Sequence, residues 1–345
     1  MLYNEPVVSI CIPTYNAGKT VMSTLQSILN QTYQNLEILV VDNASTDSTL
    51  SLLEQSNDPR LAIHRNERNM GAEANFSRCI ELASGEYIAI FHADDLYLPN
   101  MVEKQVRAFQ DNASLDAVFT MASFINDRDG IIGESILPAK LRRKRVLHYP
   151  EVFASILENG NFLMCPSCMV RGKLYKELAP FDGDRFGTSA DLDMWLRILE
   201  KGPSAVLDER LMSYRVSTTH GSYRWRFFRT EEADFFKVVD YHLSVKSGVL
   251  NIPRSVLDKY EFQRSLDKIM RAISHLNEGE SVEAKKLLRE SVSSRAFRGA
   301  ARNIARPRTV AFWLCGVLLL GSGRLRPYIA KSLRWSMRRV DRRVI

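Results

Sequence analysis

Much of what this 345-residue chain could be is excluded by what it lacks. No apolar run reaches the ~20 residues that a membrane-crossing helix needs. The longest, residues 309–321, has 13. A mean hydropathy of −0.19 excludes a multi-span membrane protein. No basic segment followed by an apolar core opens the chain, and the run at 7–12 is too short for a secretory signal. The five cysteines are an odd count, which argues against a disulfide framework. Cys165-Pro166-Ser167-Cys168 has no second CxxC or His pair to complete a four-ligand zinc site, so these are expected to be ordinary thiols. Gly18-Lys19-Thr20 looks like the end of a phosphate-binding loop, but the glycine required five residues earlier is Pro13. The first strand is followed by no GxGxxG, which excludes a dinucleotide fingerprint, and no GxSxG elbow offers a serine nucleophile.

What remains is a globular composition, 45% hydrophobic and 25% charged, enough for one large domain with appendages or for two. The net charge of +7 is unevenly spread. Residues 284–345 hold 16 Lys/Arg against two Asp/Glu, a balance of +14, which leaves −7 for the rest. A basic tail suits an anionic partner. Without any nucleic-acid recognition motif, membrane headgroups are the expected one.

Along residues 1–125, short apolar runs alternate with amphipathic stretches. Residues 7–12, 36–41, 61–64, 87–91 and 117–123 read as strands. Val21, Leu25, Ile28 and Leu29 fall on one helical face, as do Phe76, Ile80 and Ala83, with Gly85 as the expected stop. Such alternation predicts a mainly parallel central sheet flanked by helices. Ligands of such sheets bind at the carboxyl ends of the strands. There the chain places Pro13-Thr14-Tyr15-Asn16, Asp42-Asn43-Ala44-Ser45, Arg65-Asn66 and His92-Ala93-Asp94-Asp95. The pattern weakens from 126 to 165, where the basic run 140–145 is either a solvated loop or one facing phosphates or headgroups. A helix is expected over 191–201, and two helices around Gly279 over 255–300.

Asp94 and Asp95 follow an apolar strand, where adjacent carboxylates repel unless a divalent cation bridges them to a substrate phosphate. They also suit a helix entry ahead of Pro99. The wider pattern decides between the two. Val8-Ser9-Ile10-Cys11-Ile12-Pro13-Thr14-Tyr15-Asn16, then Val40-Val41-Asp42-Asn43-Ala44-Ser45-Thr46-Asp47, then Asn69-Met70-Gly71-Ala72 through Asn75, then Tyr87 to Asp95 resemble, in order and spacing, the opening motifs of family 2 glycosyltransferases. That family has the GT-A fold.

The resemblance implies a nucleotide-sugar site lined by Pro13, Thr14, Tyr15, Asn16, Asp42, Asn69, Gly71, Asp94 and Asp95. Asp42 would accept the N3–H of a uracil or thymine ring, and Asp94 would hold Mn2+ or Mg2+. The family's DADD segment begins here with His92, a neutral ligand in place of a charged one, so His92 is a candidate ligand and Mn2+ a candidate preference. Ala190-Asp191-Leu192-Asp193-Met194-Trp195-Leu196-Arg197 resembles the family's ED-x-D-LWLR helix with its Glu replaced by Ala190. This implies Asp191 as the catalytic base. Asp193 is its rival, pointing about 200° away on a helix. Leu211 to Arg215 resembles a YR-x-H segment that follows the family's last strand. Its His falls on Ser217, and His220 is a candidate displaced metal ligand.

The expected protein is an inverting glycosyltransferase that moves a sugar from a nucleoside-diphosphate donor, UDP favoured, to a hydroxyl of a glycan or lipid-linked glycan, in bacterial surface polysaccharide synthesis. The missing acids at 92 and 190 leave a catalytically silent sugar-nucleotide-binding protein as the alternative. The expected organisation is a catalytic domain over 1–230, with a donor half (1–125) and an acceptor half (126–230). A helical extension (231–300) and a basic, partly apolar tail (301–345) follow. The tail is expected to hold the protein peripherally on the cytoplasmic face of a membrane.

Overall fold

The first apolar runs form β1 (Val8–Thr14), β2 (Leu36–Asp42), β3 (Leu61–Arg65) and β4 (Tyr87–Ile90), all parallel and in the spatial order β3-β2-β1-β4. The structure is a computed structural model that describes residues 5–216, 229–246, 250–303 and 307–318. β1, β2 and β4 are buried over nearly their whole length. Parallel strands covered on both faces require this, and it is why they read as unbroken apolar runs. β3, at the sheet edge, is only half-buried.

The helices of this part are α1 (Val21–Leu29), α2 (Thr49–Leu53), α3 (Ala72–Leu82), α4 (Met101–Asp111), α5 (Tyr149–Asn159), α6 (Gly172–Glu177), α7 (Gly183–Phe186) and α8 (Ala190–Lys201). α1 buries Val21, Leu25 and Ile28, as their spacing predicts. α3 ends at Leu82, ahead of Gly85. Gly85 is required for a different reason from helix stopping: a Cβ there would meet the Ser9 amide nitrogen at 2.7 Å, where the chain enters β4 beside β1.

Beyond β4 the sheet is mixed. β5 (Leu96–Tyr97), β6 (Ala117–Ile125), β7 (Ile131–Glu134), β8 (Met169–Arg171) and β9 (Ser204–Arg215) continue it as β4-β8-β6-β9-β5, with β7 off β6. The three-residue β8 is antiparallel to both β4 and β6, whereas β6 and β9 are parallel. The segment from Leu211 to Arg215, expected after the last strand, is the end of β9 itself.

By compactness the chain divides into Met1–Val152 with Asn161–Arg215, and Phe153–Gly160 with Val216–Ile345. The second unit is built on the long helix Arg254–Asn277, against which Ser281–Glu290, Ser294–Arg302 and Pro307–Leu318 pack. Two helices were expected over 255–300, and a third, Ser294–Arg302, is present. Phe262, Ile269, Ile273, Leu287, Leu288 and Trp313 form the core. Buried Asp258 is gripped by Arg298 at 3.1 Å and by Arg302. Among the described residues no helix is long and apolar enough to cross a membrane. Of the tail, 304–306 and 319–345 lie outside the described residues.

Candidate active site

Register aligns the ends of three strands: Thr14 lies opposite Asp42, and Asp42 opposite Arg65. The loops that follow are therefore neighbours. Asn16 and Ala44 both have positive φ, 49° and 60°, which turns the first two loops sharply toward each other. The Asn16 amide donates to Ser45 Oγ at 2.9 Å and its side-chain oxygen accepts from the Thr46 amide at 2.9 Å. The Ala17 amide donates to Thr49 Oγ1 (2.8 Å) and the Gly18 amide to Asp47 Oδ2 (3.0 Å). Much of Asn16 thus serves the loop itself. Thr14 is buried and donates to the Ile12 carbonyl. Pro13 is half-buried, and Tyr15 presents an exposed ring.

Asp42 is fully buried. Its Oδ2 accepts from the Ser45 amide at 3.1 Å, and the Arg65 Nε lies 3.7 Å from the same oxygen. Its Oδ1 is buried without a hydrogen-bond partner among the described residues. A buried carboxylate oxygen left in this state is costly, and it is an acceptor waiting for a donor.

Asn43, beside it, is wholly committed. Its amide nitrogen donates to Asn69 Oδ1 (2.9 Å) and the Gly71 carbonyl (3.0 Å), and its oxygen accepts from Asn66 (3.1 Å) and the Met70 amide (2.9 Å). Asn66 also donates to Asn75 at 2.8 Å, and Asn75 to the Val41 carbonyl at 2.9 Å. This asparagine cluster fixes Gly71, whose φ of +88° only glycine adopts without strain. Sequence reasoning assigned roles to Asn69 and Gly71 but named Asn66 only as a strand-end residue, without a role. The signal available was four asparagines, at 43, 66, 69 and 75, in two neighbouring loops and the helix after them.

The third loop carries His92, Asp94 and Asp95, whose ligand atoms all lie within 4.8 Å of one another. Three successive carbonyls anchor it: Ala93 accepts from Thr20 Oγ1 (3.0 Å), Asp94 from Arg215 Nε (2.7 Å), and Asp95 from Thr24 Oγ1 (2.7 Å). Arg215 also holds the Asn126 carbonyl (3.0 Å) and Asp129 (2.7 Å). Asp94 is partly exposed, whereas Asp95 is buried, with Oδ1 accepting from the Arg215 amide at 2.7 Å and Oδ2 unpaired. Burial and the neighbouring Asp94 push the Asp95 carboxyl well above its ordinary range. The His92 ring stacks on Phe76 at 5.7 Å, its Nδ1 is 3.8 Å from Asp95 Oδ2, and its Nε2 is buried and unpaired. Burial lowers its pKa against the opposing pull of Asp94, which favours the neutral imidazole.

At the start of α8 the two carboxylates have separate fates. Asp193 is buried and takes the Arg197 Nε at 2.7 Å, while Arg197 also donates to the Ala179 and Pro180 carbonyls. Asp193 therefore pins the preceding loop to the helix. Asp191 is partly exposed and accepts a local amide bond from Leu192 at 2.7 Å. Desolvation, offset by amide hydrogen bonds and reinforced by Glu73, raises its pKa from 3.8 to about 6. Burial, with the charges of Asp95, Asp94 and Asp191 adding to it, raises the pKa of Tyr214 near the end of β9. Sequence reasoning assigned Tyr214 no role. Cys165 and Cys168 are buried free thiols, as expected. The basic run at 140–145 is a turn whose charged side chains are exposed. His220 and Ser217 lie outside the described residues.

The family model for "Glycosyl transferase family 2" matches residues 9–178. An uncharacterized glycosyltransferase of Methanocaldococcus jannaschii is 31% identical over 218 residues, covering 62% of this chain and 72% of that protein. S. aureus TarS 1-349, solved with UDP-GlcNAc, superposes with a TM-score of 0.56 at 17% identity, covering 96% of this chain and 92% of that one. A mannosyltransferase of Pyrobaculum calidifontis, solved with GDP-Man and Mn2+, gives 0.53 at 17% identity over 98% and 88%. These likenesses show a GT-A fold.

Proposed function

This chain belongs to the family 2 glycosyltransferases, and on that premise we propose that it transfers a sugar from a nucleoside-diphosphate donor to an acceptor hydroxyl with inversion at the anomeric carbon. The observation that carries the reading is the grouping of His92, Asp94 and Asp95, with ligand atoms within 4.8 Å of one another, at the end of a parallel strand. Asp191 takes the acceptor proton: it is partly exposed, free of ion pairing with Arg197, and its pKa of about 6 keeps it basic yet ionised at neutral pH. Asp193 is bound to Arg197 and so is not offered as a nucleophile, which supports direct displacement. Asp42 holds the base through Oδ1. One unpaired oxygen matches the single ring N–H of uracil, whereas guanine presents two adjacent donors, and Oδ2 already serves Ser45. Uridine is therefore the favoured nucleotide. Tyr15 offers its exposed ring, and the Asn69–Gly71 turn, braced by Asn43, is assigned to the neighbourhood of the ribose or pyrophosphate.

The residues fit a divalent cation: Asp94, Asp95 Oδ2 and His92 are grouped, and two of the three carry buried unpaired atoms. Mn2+ or Mg2+ bound there would neutralise charge on the departing nucleoside diphosphate.

The acceptor is proposed to be a glycan or lipid-linked glycan of a bacterial surface polysaccharide, reached from the cytoplasmic face of the membrane. The basic tail supports a peripheral contact. So does the helix Pro307–Leu318, which buries Trp313 but leaves Leu314 and Leu318 47% and 70% exposed. To test the function, nucleotide sugars would be screened by thermal shift, which rises by mass action for a true donor. The product's anomeric configuration would then be assigned by NMR. Retention of configuration, or full turnover in Asp191→Asn, would overturn the mechanism.

A further inference from the structure

Where the resemblance to the family leads one to expect an acid, this chain has His92, and its surroundings make that residue more than a gap. The geometry points to His92 as a direct metal ligand that adds a nitrogen donor to two carboxylates and so weights the site toward transition ions over Mg2+. This rests on the proposed metal site but goes further, to which cation it takes and why.

Three observations carry it. First, the ligand atoms of His92, Asp94 and Asp95 lie within 4.8 Å of one another. Six-coordinate ligands at metal bonds of ~2.1 Å stand roughly 3 Å apart when adjacent and about 4 Å when opposite, so modest closure suffices. Second, Asp95 Oδ2 and His92 Nε2 are both buried and both unpaired. Nδ1 and that oxygen, 3.8 Å apart, are too distant to satisfy each other. A cation held by that oxygen and an imidazole nitrogen would satisfy the buried carboxylate. Third, the group cannot readily rearrange. The His92 ring rests on Phe76, itself buttressed edge-on by Phe181 at 5.6 Å, and Tyr214 lies 6.5 Å away on another side. Thr20, Thr24 and Arg215 hold the three loop carbonyls.

The selectivity follows from the donor chemistry. Mg2+ is a hard cation that takes oxygen ligands and dehydrates reluctantly. Imidazole suits the later transition ions, and affinity for nitrogen rises along that series. A site with one nitrogen and two carboxylates therefore loses Mg2+ affinity relative to an all-carboxylate site, and loses less of its affinity for Mn2+ or Co2+. The other grouping of such side chains among the described residues, His275, Glu278 and Glu280, does not share these features: His275 is already bonded to Glu280 and both glutamates are exposed.

The probe is the metal ion alone, added to the full chain with and without UDP. Mn2+ bound to the wild-type protein should show 14N modulation in its electron spin echo, and 15N-histidine labelling should replace it with the 15N pattern. His92→Asn, matched in shape but without the imidazole, should abolish it. His92→Asp should narrow the preference for Mn2+ over Mg2+ by about tenfold or more. Circular dichroism and melting establish that both variants are folded. Mn2+ bound without 14N modulation, or modulation that survives in His92→Asn, overturns the assignment while leaving the carboxylate metal site standing. Equal affinity for Mg2+ and Mn2+ in the wild type overturns the selectivity. Modulation present without any nucleotide-sugar binding would sink only the proposed function.

Discussion

Replacing Asp191 by asparagine should make the protein more stable while disabling it, and the gain should depend on pH. Burial and Glu73 raise this carboxyl from 3.8 to about 6. Because the folded value lies above the unfolded one, the favourable contribution is fully present below about pH 4 and is lost as pH rises through 6. Above that, the folded protein carries a carboxylate it would rather protonate. The gap corresponds to about 3 kcal/mol at most. Asp191 is partly exposed, so screening reduces the expected effect to ~1–2 kcal/mol. Asparagine removes the charge but keeps an oxygen for the Leu192 amide. Metal-free melts at pH 7.5 should then place Asp191→Asn roughly 2–6 °C above the wild type, with the difference vanishing near pH 4. Turnover at pH 7.5 should fall by roughly 10²–10⁴-fold with near-normal donor affinity. The wild-type rate should rise through a midpoint near 6. A stability difference that is zero or pH-independent would refute the desolvated-carboxylate argument. An unchanged rate would refute the base assignment.

Asp42→Ala should weaken a uridine donor by about 1.5–3 kcal/mol, because the lost bond is to a buried charged group, with little change in kcat; calorimetry that finds equal affinity for every pyrimidine donor would reduce Asp42 to a turn residue. Asp94→Ala should abolish metal-stimulated transfer with an unchanged melt, and wild-type activity that persists in excess EDTA would remove the metal from the mechanism. Asp193→Asn should cost stability rather than turnover, by loosening Arg197 from its helix; a rate loss exceeding that of Asp191→Asn would exchange their roles. A chain ending at residue 318 keeps Trp313 in its core, and should lose most of its salt-sensitive co-sedimentation with anionic vesicles; equal pelleting with the full chain would show that residues 319–345 are not the anchor.

Residues 1–125 were legible because their strands are buried on both faces, so the apolar runs stand out, and because α1 repeats Val21, Leu25 and Ile28 at helical spacing. α5 was not read, although it carries Val152, Phe153, Ile156 and Leu157: it begins Tyr149-Pro150 and follows a basic turn. β7 carries no alternating signal, since Ile131 at the sheet margin is 70% exposed, and β8 is too short to announce its antiparallel insertion. The opposed directions of Asp191 and Asp193 followed from helical phase. Which of them Arg197 would take did not, because that depends on the Ala179–Pro180 carbonyls brought in by the fold. Asp42 was expected near the base, but its complete burial and its one unpaired oxygen were visible only in three dimensions.

On the proposed donor site, the asparagine cluster also ties binding to chemical ageing. Side-chain amides hydrolyse slowly to carboxylates, and asparagine is among the thermolabile residues. At Asn43 that change would put an acid in surroundings built for an amide. The two donated bonds, to Asn69 and the Gly71 carbonyl, would be replaced by oxygen facing oxygen. A second negative charge would also stand beside Asp42. A stored sample would therefore lose affinity for its nucleotide before it lost its fold, a decline that peptide mapping would trace to a single side chain.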